Sequence, residues 1–576
     1  MTRGARDPAE SRRWRLLTIG TVIALFSGVL IAKLTYLQVI QADRYQELAR
    51  QEHWRKETIP AQRGAIRSSA GQPLALSVPF ESLYADTKFV EHPETAARRL
   101  ASVLGEKEDE LRAKLLAKQD APTLLKPRLG FEMAQQIRQL KLWDVYLRPE
   151  PVRKHPEGSL AAEVLGFVGH DHQGLAGLEA SLDEQLGGRP GTLYAERDTG
   201  GDEIALGLSR LEVPRDGVDV TLTIDRFAQR IVERELEAAL KKWRAASGSV
   251  IVMQPSTGAI LAMASRPSFR FDEKNDGLPT GEAAGFRNAA VNDQYEPGSV
   301  FKVITMAAGI DNGTVTPETT VDDPGFFTFG GITVRNWNGQ GYGRETMRSG
   351  LAHSNNVVLG TVSTRLGKVA FYRYLDAFGF GKLTGVALPG EAAGTLRRPG
   401  GPDGWSNGDL LTNSFGQGLA ATPLQMAAAV SAIANSGVLM KPQIVKETSG
   451  PDGRRVQGPI EVRRVISSES ARTITDMMVT VVESSPTRPA VIPGYRVAGK
   501  TGTSEVPTPA GYSKLTIASF GGFVPVERPA FAMIIKIDQP QENPWGEVVA
   551  APLFNTIAKQ LLVHYRVPPT RELAAR

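Results

Sequence analysis

From Leu16 through Ala32 the chain runs 17 residues without a charged side chain, and this run constrains where all that follows can fold. At about 1.5 Å rise per residue it reaches roughly 26 Å, just short of a ~30 Å hydrocarbon core. Lys33 can extend its ammonium toward the interface and let the helix continue to about Leu37. A buried soluble helix would show a polar stripe, and this run has none. A cleaved leader would end on a small-x-small site, where the chain instead reads Leu30-Ile31-Ala32-Lys33-Leu34. The expectation is an uncleaved anchor over residues 16–38. Arg3, Arg6, Arg12, Arg13 and Arg15 outweigh Asp7 and Glu10 ahead of it, which puts residues 1–15 in the cytoplasm and everything after residue 40 outside the inner membrane.

The same arginines account for most of the net charge of +5. The folded remainder is close to neutral and lacks the basic footprint of a nucleic-acid binder. With 576 residues, 41% hydrophobic and 22% charged, the chain is long enough for more than one globular domain. It has no cysteine, which removes thiolate metal sites, disulfides and cysteine nucleophiles together.

Residues 39–225 read as a strand-rich mixed region, with a helical stretch at Ala96–Gln119 and a break from Pro151 to Gly158. Arg226–Trp243 reads as an amphipathic helix with Phe227, Ile231, Val232, Leu236 and Leu240 near one face. Ser249–Met253 and Ala259–Ala264 are apolar strands joined by the turn Gln254-Pro-Ser-Thr-Gly258. Three further strands are expected at Tyr495–Thr503, Leu515–Val524 and Phe531–Ile537, then a closing helix at Pro552–Tyr565 and a disordered tail at Val567–Arg576. Two strands and three strands flanking a mainly helical and looped section, 265–490, predict one antiparallel sheet completed by both ends of the region.

Three short motifs carry chemistry. In Glu296-Pro-Gly-Ser299-Val-Phe-Lys302, Pro297 and Gly298 mark the start of an apolar helix running to about Ile310. A spacing of i, i+3 puts Ser299 and Lys302 on one face. A serine hydroxyl needs a base at hand, and a lysine serves if burial lowers its pKa. Ser354-Asn355-Asn356 comes next: Ser354 is a candidate proton relay, Asn356 a candidate partner for a substrate amide, although Ser and Asn are also preferred N-caps. In Lys500-Thr501-Gly502-Thr503, Lys500 and the threonine hydroxyls suit a carboxylate, and Gly502 admits a substrate backbone to the strand edge. The backbone N–H groups of Ser299 and Thr503 are the candidate oxyanion hole.

Other readings are weaker. Gly494 through Thr501 also fits a phosphate-binding loop, but that loop needs a helix straight after it, and Gly502-Thr-Ser-Glu-Val-Pro507 is poor for one. His170-Asp171-His172 fits a loop better than a metal pair, and His353 shows no specific acid partner for a Ser-His-Asp triad. No metal or cofactor is expected.

The ordered trio at 299, 354 and 500 occurs in penicillin-binding proteins and class A β-lactamases. From about residue 35 to 565 the chain resembles a class B penicillin-binding protein. Arg63-Gly-Ala-Ile-Arg-Ser-Ser-Ala-Gly-Gln-Pro-Leu-Ala75 resembles the family's first pedestal motif, with Ser68-Ser69 replacing its usual Asp-Arg. Gly174-Leu-Ala-Gly-Leu-Glu-Ala-Ser-Leu-Asp183 resembles the next pedestal motif, and Gly379–Glu391 and Ser414–Gly418 resemble transpeptidase segments. The resemblance implies an α+β chain: transmembrane helix, elongated mixed pedestal of the dimerisation type (39–225), transpeptidase domain (226–566) and tail (567–576). The transpeptidase domain would be a five-stranded antiparallel sheet flanked by helices, like a serine β-lactamase.

It implies acyl transfer: Ser299, activated by Lys302, attacks the carbonyl between two terminal D-alanines of a peptidoglycan stem. Lys500, Thr501 and Thr503 bind the carboxylate, Ser354 relays the proton, and a second stem's amine resolves the acyl-enzyme. β-Lactams would acylate the same serine. Tyr36-Leu-Gln-Val-Ile40 and Ser354-Asn-Asn356 resemble the cell-division (septal) branch more than the elongation branch. That branch partners a polytopic lipid II glycosyltransferase and division proteins. The remaining rivals are a β-lactamase, a β-lactam sensor and a non-catalytic division scaffold.

Overall fold

Phe531–Asp538, an eight-residue apolar strand buried along its whole length, is the middle of a five-stranded antiparallel sheet. The computed structural model to which it belongs describes residues 8–42, 44–45, 54–119, 121–142, 145–196, 209–272, 278–280, 286–509 and 511–571. The chain forms two compact units, Met1–Ala61 with Arg189–Arg215, and Gln62–Gly188 with Asp216–Arg576.

The first unit opens with a helix at Pro8–Thr35 that continues as a π-turn at Tyr36–Ile40. Arg12–Ile40 is long and apolar enough to cross a membrane. The helix outruns the expected anchor at its start because arginine propagates a helix as well as an apolar residue does. Thr18, Thr21 and Thr35 donate their hydroxyls to carbonyls four residues back, at 2.7–2.8 Å, so none presents an unpaired polar group to lipid. The unit also holds an antiparallel sheet of Trp54–Ile59, Gly191–Glu196 and Ser209–Glu212.

In the second unit, the hairpin Ser247–Met253/Ile260–Arg266 joins Phe531–Asp538 through Ser247↔Asp538 to Met253↔Ala532, and Gly511–Val524 and Ala498–Thr508 follow outward. The expected two-plus-three arrangement is thus one sheet, with Ala498–Thr508 at its edge. Side chains alternate between two cores. Val250, Val252, Ile535 and Ile537 pack with Val232 and Leu236 of helix Arg226–Trp243 and Phe554 and Leu561 of helix Gly546–His564. Ile251, Met253 and Ile534 pack with the inserted helices on the other face, including Val303 and Ile304.

Helix Arg226–Trp243 has the expected bounds, but Phe227 lies half exposed and the buried stripe runs through Ala228, Val232, Leu236 and Ala239. The closing helix begins at Gly546, six residues before the expected start, and carries Pro552 inside it. Proline favours a helix's first turn, but here the helix already runs from Gly546 when it reaches Pro552. Tyr495–Val497 is a turn rather than strand, because Tyr495 N–H closes on Ile492 O (3.1 Å). The inserted section holds small two-stranded sheets beside its helices, among them Phe326–Phe329/Ile332–Arg335. Residues 567–571 are docked rather than free: Tyr495 Oη donates to Val567 O (2.7 Å), and Thr570 N–H to Gly494 O (2.9 Å). Residues 572–576 lie outside the described residues.

In the pedestal region the helical stretch is two helices, Pro93–Leu104 and Glu108–Leu116, divided at Gly105 (φ 67°). The expected break at 151–158 contains a short strand, Val152–Lys154. A six-stranded mixed sheet runs Gly453–Val456, Val445–Gly450, Asp219–Leu222, Ile66–Arg67, Pro73–Val78, Val152–Lys154, so strands from both sides of residue 225 share it. The two pedestal motifs meet in a buried ion network. Arg63 reaches Glu179 (2.6 Å) and Asp183 (2.6 Å), and Arg153 reaches the other oxygen of Glu179 (2.7 Å).

Candidate active site

The serine motif begins as a 3-10 turn, Gly298–Phe301, and becomes an α-helix at Lys302–Asp311. Gly298 sits at φ 53° against the edge strand: a Cβ there would lie 3.0 Å from Ser504 Cβ and 3.3 Å from Thr503 O. The turn is tied down on three sides. Gly298 N–H donates to Gly416 O (3.0 Å), Ser504 Oγ donates to Glu296 O (2.8 Å), and Thr305 Oγ1 donates to Ser414 O (2.8 Å). Ser299 is partly exposed at the start of this helix, and Lys302, one turn on, is 1% exposed.

Lys302 Nζ donates to the carbonyl oxygen of Ser354 (2.6 Å) and to its hydroxyl (3.1 Å). Burial, and then the charge of Lys500, hold the Lys302 ammonium well below the usual lysine range. Lys500, also 1% exposed, is pushed down to about 8 by burial, against the pull of Glu547. Two buried amines therefore face one cleft in unequal states. Lys500 keeps its proton at neutral pH, and Lys302 is the amine that burial and a neighbouring charge together disfavour as an ammonium.

Ser354 stands at a special backbone position. Helix Met347–Ala352 ends with Asn355 N–H on Gly350 O (2.8 Å) and Ser354 N–H on Leu351 O (3.2 Å). That pair of bonds is the Schellman ending, whose left-handed residue is usually glycine. Here it is Ser354, at φ 56°. The cap expected of this motif belongs to its second residue: Asn355 Oδ1 accepts from Val358 N–H (3.0 Å) and starts helix Asn356–Leu366. Asn356 donates its side-chain amide to Arg335 O (2.7 Å).

On the edge strand, alternation turns Lys500, Gly502 and Ser504 toward the serine turn; a Cβ on Gly502 would meet Val300 at 2.9 Å and Ser519 Oγ at 2.4 Å. Thr501 and Thr503 alternate with them and stay partly exposed along the strand. Lys500 Nζ donates to Thr501 O (3.0 Å), and Thr503 Oγ1 accepts from Gly546 N–H (3.0 Å) at the start of the closing helix. The phosphate-loop alternative has no helix behind it, since residues 498–508 are all strand. Serine, lysine and strand motifs thus converge from three separate stretches of chain.

Several residues around the cleft carry no sequence signal. Glu296 is buried and accepts from Gly418 N–H (3.0 Å) and Tyr512 Oη (2.9 Å), which clamps the serine turn to the hairpin beyond Thr508. Burial pushes its carboxyl up, against the pull of these donors. His353 does have an acid partner: Glu345 Oε1 lies 3.3 Å from its Nδ1, and Tyr342 stacks on the ring. The pair flanks helix Met347–Ala352, Glu345 just before it and His353 just after, which spacing along the chain does not reveal. Asp323 and Asn336, 32 and 20 residues before the motif residues they bind, are buried and bonded to it.

Comparison with known proteins places these features in a family. The model for the penicillin binding protein transpeptidase domain matches residues 248–559, and that for the penicillin-binding protein dimerisation domain matches residues 58–222. Stage V sporulation protein D of Bacillus subtilis is 33% identical over 568 residues, covering 96% of this chain and 86% of that protein. Peptidoglycan D,D-transpeptidase FtsI of Escherichia coli K12 is 30% identical over 565 residues, covering 96% and 92%. The crystal structure of penicillin binding protein 3 from Mycobacterium tuberculosis complexed with aztreonam superposes with a TM-score of 0.68 at 29% identity, covering 90% of this chain and all of that one.

Proposed function

The chain belongs to the class B penicillin-binding proteins, and from that premise we propose that its peptidoglycan D,D-transpeptidase activity runs through an acyl-enzyme on Ser299. The observation that carries the assignment is the pair of hydrogen bonds from buried Lys302 to Ser354, one helical turn from Ser299.

Ser299 Oγ attacks the carbonyl carbon between the two terminal D-alanines, and Lys302, whose proton affinity burial and Lys500 lower well below the usual lysine range, takes its proton. The oxyanion falls to the backbone N–H groups of Ser299 and Thr503. Gly298 supports this, because only a residue without Cβ lets the serine turn lie against 503–504. The C–N bond then breaks, and the proton passes from Lys302 through Ser354 Oγ to the leaving D-alanine amine. Charged Lys500, with the hydroxyls of Thr501 and Thr503, receives the terminal carboxylate, Gly502 opens the strand edge to the substrate backbone, and Asn356 bonds its amide. A second stem's amine attacks the ester, releases Ser299 and completes the cross-link. Penicillin takes the first half of this path and stops.

The protein is a single-pass, membrane-anchored enzyme. We read its arginine-rich start as cytoplasmic and its catalytic domain as periplasmic, with a 1–15 tail, 16–38 anchor, 39–225 pedestal, 226–566 transpeptidase domain and 567–576 tail. A septal role, beside a polytopic lipid II glycosyltransferase, is favoured by Tyr36–Ile40 and the Ser-Asn-Asn motif.

Mass mapping of the penicillin adduct tests the nucleophile. The added mass belongs on the tryptic peptide Asn288–Lys302; an adduct confined to any other peptide rejects the assignment. The two lysines give a pH signature as well. Lys500 is charged below about 8 and loses its charge above it, so penicillin acylation will fall as pH rises through that value. Lys500→Arg keeps the charge and will move this falling limb up by more than about one pH unit, since a guanidinium stays protonated throughout. A wild-type rate that does not fall between about pH 7.5 and 9 removes Lys500 from the carboxylate role.

A further inference from the structure

Asp323 ends a short strand, Thr320–Asp323, and is 2% exposed. A carboxylate so buried is expensive unless every lone pair is met. Here four neutral donors meet it. Oδ1 accepts from Gly325 N–H (2.7 Å), and Oδ2 accepts from Asn355 Nδ2 (2.6 Å), Asn336 Nδ2 (2.8 Å) and Tyr342 N–H (3.1 Å).

Two of these donors lead to the Ser354 turn. Asn355, 0% exposed, spends its other side-chain atom capping Val358 N–H, so its amide is held at both ends. Asn336 Oδ1 accepts from Asn356 N–H (3.0 Å) and Val357 N–H (3.4 Å). Asp323 therefore grips the residue after Ser354 directly and the next two through Asn336. Ser354 itself sits in a left-handed conformation that costs a non-glycine residue roughly 1–2 kcal/mol, and a turn under that strain needs outside restraint. What it presents from there, a carbonyl at 2.6 Å and a hydroxyl at 3.1 Å, is what Lys302 holds on to.

We propose that Asp323 is a positioning residue for acyl transfer: through Asn355 and Asn336 it sets the Ser354 turn and so fixes where the Lys302 amine and the Ser354 hydroxyl meet. The proposal rests on the role given to Ser354 and Lys302 above. An amide at 323 is the sharpest probe. It matches the carboxylate in shape but turns one acceptor into a donor, facing donors that have nowhere else to go. Misplacing a reacting group by an ångström costs about 100-fold, while a cleft built elsewhere still binds its ligand.

The test is penicillin acylation by the full chain, resolved into the binding constant K and the limiting rate k2. Asp323→Asn, shown folded by circular dichroism, is expected to lower k2 by about 30- to 100-fold with K within about threefold. A generally loosened fold would move both. Should Asp323→Asn not fold, Asn336→Ser breaks the same chain one link away and carries the same expectation. Folded single variants with k2 within about threefold of wild type overturn the proposal. Ser354→Ala, run alongside, separates the two levels: if it too leaves k2 unchanged, the role of Ser354 itself is wrong.

Discussion

Lys302→Met will slow penicillin acylation about a thousandfold or more, and the protein will unfold at the same temperature or higher. The kinetic half follows from the role given to Lys302: positioned general bases contribute about 10² to 10⁴ in rate, and a serine without one is a poor nucleophile. Lys500 cannot replace it, because its pKa near 8 leaves it charged at neutral pH. The stability half comes from comparing opposing terms. In the unfolded chain Lys302 is hydrated and charged; in the fold it is 1% exposed and faces Lys500. A lysine whose folded pKa lies below its unfolded value binds fewer protons when folded, so it destabilises the fold at every pH below the unfolded value. Methionine has nearly the same length and carries no such penalty. Against this, Ser354 loses two hydrogen bonds of about 1 kcal/mol net each, which relief of a deeply buried amine facing Lys500 offsets. Thermal unfolding read beside the acylation rate decides it. A variant that acylates at the wild-type rate ends the assignment of Lys302 as base, and one that is inactive but much less stable ends the account of its burial.

Lys500 obeys the same sign at a stated size. Its depression from 10.5 to about 8 is worth on the order of 3 kcal/mol against folding below pH 8, a penalty that fades as pH rises toward 10. Two buried lysines in one cleft are costly to a fold, and their presence together speaks for chemistry.

The parts legible in the sequence are those whose physics is local. Helix Arg226–Trp243 is set by a 3.6-residue apolar period and an Asp225 cap, which accepts from Phe227 and Ala228 N–H at 2.8 and 3.1 Å. The five strands were visible because each is an apolar run bounded by turn residues, and the serine and strand motifs because each packs its chemistry within four residues. What escaped depends on distance along the chain. Asp323 looks like one of two acids before a Pro-Gly turn, and nothing in that turn reports that Asn355, 32 residues on, lies 2.6 Å away. Glu345 and His353 likewise meet only because the intervening helix folds back. Pro552 misled for the opposite reason: a strong local rule gave way to a helix whose first turn is fixed by packing, Gly546 lying against Gly502 O and Ser519 O too closely for any side chain.

Ser354→Gly and Ser354→Ala will be equally slow, by about 100-fold or more, yet differ in stability, with the glycine variant the more stable by about 1 kcal/mol. Both remove the hydroxyl that Lys302 reaches at 3.1 Å while keeping the carbonyl it reaches at 2.6 Å, so both interrupt the proton path in the same way. Only glycine escapes the left-handed penalty that serine and alanine share at φ 56°. Part of that gain is offset, because glycine loses roughly 0.5–1 kcal/mol more backbone entropy on folding, so the variant is close to wild type in absolute terms and separates cleanly only from alanine. In a domain of this size the difference is about 1–2 °C in Tm. Equal melting points would mean that the turn is not strained and that serine costs nothing there. Unequal rates, with alanine close to wild type, would mean that the backbone carbonyl alone serves Lys302 and the hydroxyl carries no proton. If both expectations hold, the Schellman ending of helix Met347–Ala352 carries serine at a left-handed position that glycine fills without strain, because the reaction needs an oxygen at that point in space.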